Sequence, residues 1–216
     1  MREKIFNGLM LCIAFALLSF GLAGFQNKKT DLYKNMVNAS VRLAGHGSGV
    51  FIDDDVILTA AHCLEGVKVI TRELNNGIML ESSDFYVDNK EDIGFIFVDA
   101  DELCITEVSI SDVHIGDIVY LVGRPFDDIF KFSLTKGILS HLDRDIPKWN
   151  WKNLLQTDAE GGPGSSGGPL YNSNGNLVGM YVGHSNGGGR GITLCESAKS
   201  ILGAYERCME LRDAPN

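Results

Sequence analysis

Past residue 30, apolar residues recur at alternate positions in short runs, broken by turn residues at intervals of about ten. A side-chain period of two is the pleat of a strand half buried on one face, so the chain reads as all-β, a barrel or a sandwich. The first half holds "NASVRLA", "GSGVFID", "VILTA", "VKVITRE", "IMLESSDFYV" and "IGFIFV". The second holds "DIVYLVG", "KFSLTKGILSHL", "NLLQTD", "GGPLYN", "NLVGMYVG" and "RGITLC". Asn75–Gly77 and Asn172–Asn176 supply residues that accept positive φ, so each joins two antiparallel neighbours. The polar, weakly patterned "DADELCITEVSISDV" separates the halves as a linker between two barrels. The expected architecture is therefore two six-stranded antiparallel β-barrels, over about residues 36–100 and 115–195, and a C-terminal α-helix over about 196–213. In that helix Ile201, Tyr205, Cys208 and Leu211 or Arg212 share one stripe at helical spacing.

Residues 1–24 are of another kind. Arg2 and Lys4 precede an apolar stretch, Leu9 to Phe20, that ends in small residues, which is the plan of a secretory signal peptide cleaved after Ala23 or Gly24. The apolar run extends to Phe25, at the short edge of the ~17–25 residues that span a bilayer, so a retained anchor is the alternative. Either way residues 25–216, the working domain, are expected to be exported, periplasmic or secreted, and a membrane is a partner only if the segment is kept.

Lys+Arg 19 against Asp+Glu 28 leaves a net charge of −9, which argues against a nucleic-acid partner bound through phosphate neutralisation. Of five cysteines, Cys12 lies in the targeting segment, and Cys63, Cys104, Cys195 and Cys208 allow three pairings. They form no C-x-x-C, and no H-E-x-x-H occurs, so neither a metal site nor a cofactor is expected. The "GGGRG" of residues 187–191 lacks the G-K-[ST] of a phosphate loop and reads as a hairpin loop.

"GPGSSGGPL", residues 162–170, cannot be helix or central strand at that density of glycine and proline. It is a tight turn presenting two serines. A serine hydroxyl becomes a nucleophile only when a base takes its proton, and the base needs a third group to hold its tautomer. "ILTAAHCLEG" places His62 just after a strand among small residues, and "NKEDIGFIFV" places Asp92 at the start of an apolar strand. Asp84 and Asp88 compete with Asp92. His46, His114 and His141 read as surface or loop residues.

These stretches resemble the chymotrypsin-like serine peptidases, and among them the bacterial HtrA/Deg type. "TAAHC", "DIG" and "GSSGGPL" are similar to the family's histidine, aspartate and nucleophile motifs, in that order. "GSGVFI", "YLVGRPF" and "LTKGILS" extend the likeness over roughly residues 40–195. The resemblance implies an endopeptidase acting on polypeptides through an acyl-enzyme, with His62 as general base, Asp92 orienting it and Ser166 attacking. The N–H groups of Gly164 and Ser166 would hold the oxyanion.

By place in the motif, Glu160 should lie near the base of the primary pocket. A buried carboxylate there would favour Lys or Arg before the cut bond, whereas one turned to solvent would not. Tyr181, Gly183 and His184 are expected along the substrate groove. Ser165 stands where trypsin-type zymogens carry an activating aspartate, so no activation by N-terminal insertion is expected. The trypsin-like bridge to Cys63 lacks its partner, leaving a free buried thiol, while Cys195 and Cys208 are placed to bridge. The chain stops soon after its helix, so no PDZ domain is expected, and the oligomeric state is left open. The alternatives are a catalytically idle peptidase fold that binds a peptide or partner, and an esterase.

Overall fold

The computed structural model describes residues 28–45, 47–88, 90–99, 113–126, 128–184 and 191–214. Two compact units divide the chain, 1–34 and 35–216. Of the first, only residues 28–34 are described, and they are helical; the targeting segment, Cys12, Cys104 and the "GGGRG" loop up to residue 190 lie outside the described residues. Helix α1 occupies 28–38, a helix that the strand pattern did not anticipate.

The N-terminal sheet comprises β1 (Ser40–Leu43), β2 (Gly47–Asp53), β3 (Val56–Thr59), β4 (Ile70–Leu74), β5 (Met79–Ser82), β6 (Phe85–Val87) and β7 (Gly94–Phe97). Its order is β5-β4-β1-β2-β3-β7-β6. The expected single run over 78–87 is two strands, which makes seven in place of six. Ser82 Oγ accepts the Asp84 N–H and donates to the Phe97 carbonyl, and this local turn breaks the ladder. β5 then pairs with β4, and β6 pairs with β7 at the opposite edge. Only Ser83 and Asp84 connect those edges, a reach of roughly 11 Å at most, so the sheet must curl until its edges meet.

The second sheet is a closed barrel, β10-β13-β12-β11-β8-β9. Its strands are β8 (Ile118–Gly123), β9 (Ser133–Ile146), β10 (Trp151–Thr157), β11 (Pro169–Asn172), β12 (Leu177–His184) and β13 (Thr193–Ser197). Alternate residues such as Val119 and Leu121 point inward onto Leu139, Leu155, Leu170 and Val178, all buried. Both predicted hairpins form, β4–β5 across Gly77 (φ +84) and β11–β12 across Gly175 (φ +88).

Helix α2 (Ala198–Arg212) starts where the Ser197 hydroxyl accepts the Ser200 N–H. Ala198, Ile201, Ala204 and Cys208 are its buried face. Leu211, one of two residues expected to extend the stripe, is 65% exposed. Arg212 takes that place: its guanidinium lies 3.6 Å from the Phe97 ring centroid and bonds both oxygens of Asp84. Cys195 and Cys208 do not bridge; both are free and buried. Cys195 belongs to the barrel core, while Cys208 faces the side where Asp84 and Asp88 lie. Cys63 is likewise a free buried thiol.

Replacing fully buried Ile201 by Ala should cost ~2–5 kcal/mol in urea unfolding, and Leu211→Ala should stay within about 0.5 kcal/mol of wild type. Equal losses would mean that the helix docks through a different face.

Candidate active site

β3 and β7 run antiparallel with Thr59 opposite Gly94, so residues just past the end of β3 and just before β7 emerge side by side. His62 lies in a single 3₁₀ turn, Ala61–Cys63, that lacks a side-chain cap at its first residue. The Asp92 carboxylate supplies what that turn needs: Oδ1 accepts the His62 backbone N–H at 3.0 Å, and Oδ2 lies 2.6 Å from Nδ1. One carboxylate thus fixes both the backbone and the ring of His62. The short bond to Asp92, joined by the Cys63 thiol, raises the His62 pKa above its ordinary 6.5 although burial opposes the charge.

The competing aspartates are engaged elsewhere. Asp88 accepts the N–H groups of Lys90 and Glu91 and pairs with Arg207 Nε at 2.8 Å. Burial alone would raise its pKa, but these partners outweigh it and the carboxyl is held low. It therefore clamps the loop that carries Asp92 onto α2. Asp84 is the partner of Arg212.

Ser166 sits on the turn between β10 and β11, and β2 holds that turn from the other sheet. The Ser48 N–H donates to the Ser166 carbonyl at 2.7 Å, and Ser48 Oγ donates to the Gly164 carbonyl at 3.0 Å. Such contact requires glycine: a Cβ at Gly167 (φ +85) would lie 2.1 Å from the Ser48 carbonyl oxygen. Gly164 has φ +93, and a Cβ there would strike Arg124. Among the described residues, the N–H groups of Gly164 and Ser166 have no backbone acceptor. Of the two serines, Ser165 is 1% exposed, and its side chain packs against Gly123. Ser166 is half-buried. Among the described residues no hydrogen bond joins Ser166 Oγ to the His62 ring, a contact that commonly tightens only when substrate binds.

Glu160 is exposed, and its carbonyl accepts from Thr135 Oγ1 at 2.9 Å. Of the two orientations left open for Glu160, the solvent-facing one is the one found. Tyr181 is buried beneath Gly161, and its hydroxyl meets His184 Nδ1 at 2.8 Å. Gly183 lies under Trp151, leaving no room for a side chain. Sequence reasoning did not reach Trp149 and Trp151, whose rings lie 5.0 Å apart. With Ala61, His62, Val87 and Val182 they line a groove of about 640 Å³. The signal was "WNW", with Asn150 at φ +56 presenting both rings from one tight turn. Among the described residues no three His, Cys, Asp or Glu side chains gather to hold a metal.

The family described as "Trypsin-like peptidase domain" matches residues 47–180. The chain belongs to that family. A probable periplasmic serine endoprotease, DegP-like, from Halomonas elongata is 38% identical over 62% of this chain and 28% of its own length. The serine endoprotease DegS of Haemophilus influenzae is 34% identical over 66% of this chain and 43% of its own length. The chain thus spans less than half the length of either curated relative. Among solved structures, the HtrA-type protease AlgW with a tripeptide superposes with a TM-score of 0.74 at 28% identity, covering 82% of this chain and 64% of that one. The fold is the chymotrypsin-like fold of the HtrA-type peptidase domain.

Behind Asp92, Glu196 of β13 is 1% exposed, with Oε2 buried and unpartnered among the described residues. Burial first, then the charges of Glu91 and Asp92, push its pKa up to about 8. A carboxyl protonated more readily in the folded state than in the unfolded one contributes stability below the ordinary value of 4.5, and this is lost as pH rises through about 8. Glu196→Gln should therefore be more stable than wild type at pH 8, by a margin that shrinks towards pH 4.5 in denaturant melts. A margin independent of pH would mean that Glu196 is charged throughout.

Proposed function

We propose that this chain is an exported serine endopeptidase whose catalytic residues are His62, Asp92 and Ser166. The double grip of Asp92 on His62 carries the reading: it leaves Nδ1 protonated and Nε2 as the free basic nitrogen. Nε2 takes the Ser166 proton as Oγ adds to the peptide carbonyl, and the oxyanion forms against the Gly164 and Ser166 N–H groups. The imidazolium then protonates the leaving amine, and the C–N bond breaks to give the acyl-enzyme. A water molecule, deprotonated by His62, reverses the sequence and frees the acid. The relatives' names as serine endoproteases support the reaction class, and the word periplasmic among them supports export. No helix among the described residues is long and apolar enough to cross a membrane.

Because Glu160 is exposed, it offers no buried counter-charge to a Lys or Arg before the cut bond. We assign the primary preference to an uncharged side chain, met by Tyr181, whose hydroxyl lies against His184. Burial raises the tyrosine pKa, so its hydroxyl stays neutral.

A fluorophosphonate probe should label Ser166 once, and Ser166→Ala should abolish both labelling and the cleavage of unfolded casein. A folded wild type that neither labels nor cleaves would favour the idle binding fold instead. For kcat/KM, activity should rise with pH along a limb lying above 6.5, because the His62 pKa is raised and only neutral imidazole accepts a proton. Asp92→Asn should move that limb down and lower kcat by about 10⁴-fold. An unmoved limb would remove Asp92 from its role.

A further inference from the structure

Five side chains of alternating charge run from the N-terminal sheet to the turn that carries Gly164. Glu73 of β4 accepts Lys131 Nζ and, at 3.3 Å, Arg42 Nη1 of β1. Arg42 grips both oxygens of Asp128, Nε to Oδ1 at 2.9 Å and Nη2 to Oδ2 at 2.5 Å. Oδ1 also accepts Arg124 Nη1 at 2.5 Å. Arg124 then ends against the oxyanion turn, since a Cβ on Gly164 would lie 3.1 Å from its Nε, 3.0 Å from its Nη2 and 2.6 Å from its carbonyl oxygen. Arg124 Nε is buried and unpartnered among the described residues. A guanidinium that leaves a buried donor unsatisfied is held where it is by its other contacts, and here the ion pair with Asp128 is the charged one.

We infer that Arg124, anchored through Asp128 to Arg42, is a positioning residue that braces the Gly164 peptide and so sets the oxyanion donor. The inference rests on the peptidase reading for its effect on turnover, and on geometry alone for its effect on the turn. Ser48 Oγ holds the Gly164 carbonyl, the Phe126 N–H holds the Pro163 carbonyl at 2.8 Å, and Arg124 closes the remaining side. The two guanidinium groups hold the Asp128 carboxyl down to about 2, so the brace persists across the neutral range. Asp128 is 52% exposed, which makes its bonds open to screening. The site therefore answers to salt through the oxyanion turn.

The test compares wild type, Asp128→Asn, Asp128→Glu and, as a distant ion-pair control, Arg212→Gln. Amide hydrogen exchange of the segment 161–168 is read alongside casein turnover and the rate of fluorophosphonate labelling. Asp128→Asn should speed exchange of that segment by about tenfold, and lower kcat and labelling by a similar factor with KM within about twofold. Asp128→Glu should restore most of both, and Arg212→Gln should change neither. In wild type, about 1 M NaCl should imitate Asp128→Asn, which keeps the test available if the variant does not fold. Unchanged exchange in Asp128→Asn and in high salt, or an equal effect in Arg212→Gln, overturns the inference. Faster exchange in a wild type that neither labels nor cleaves would sink the peptidase reading and leave the brace standing.

Discussion

A single backbone hydrogen bond, from the Ser48 N–H of β2 to the Ser166 carbonyl, is the contact around which the candidate site is arranged. It joins the two sheets main chain to main chain, at a separation that side chains on both partners would forbid. Gly47 and Gly167 are the condition for it: a Cβ on Gly47 would lie 2.6 Å from the Ser166 carbonyl oxygen. Once the bond is made, Ser166 stands on the rim between the sheets with Cys63 Sγ, next in sequence to His62, 3.7 Å from its carbonyl oxygen. The Ser166 turn thus takes its position from the sheet that also carries His62 and Asp92.

Electrostatics then sorts the acidic residues around that seam by environment. Asp92 has both oxygens engaged, one by the His62 backbone N–H and one at the imidazole. Asp88 is charged because Arg207 and two N–H groups repay its burial. Glu196 accepts bonds from Ser200 and the Asp92 N–H, but these do not offset its burial, and it holds its proton to about pH 8. Three carboxyls within one region therefore divide into an orienting group, a structural clamp and a neutral filler, with different bonding in each case.

Much of the fold and the pairing of His62 with Asp92 were legible in the letters, because strand alternation, Asn-Gly turns and the His and Asp motifs are local signals. "GSGVFID" is β2 to the residue, and the NNG hairpin lies where its glycine demands. What local pattern could not convey was direction. The run 78–87 alternates throughout, yet Ser82 bonds its own turn and breaks the run. Glu160 lies in the expected loop, but that its side chain is exposed is not written in the local pattern. Cys195 and Cys208 are both inward-facing, though towards different interiors. Arg42, Arg124 and Asp128 read as ordinary surface charge until the two sheets bring them together.

The Ser48–Ser166 seam also bears on timing. Its partners are more than a hundred residues apart, so making the bond means overcoming the entropy of closing a long loop. A chain with either sheet incomplete lacks one side of the contact that sets the Ser166 turn beside the His62 turn. The geometry of the candidate site is thus complete only when both sheets are in place, which couples it to a long-range step of folding.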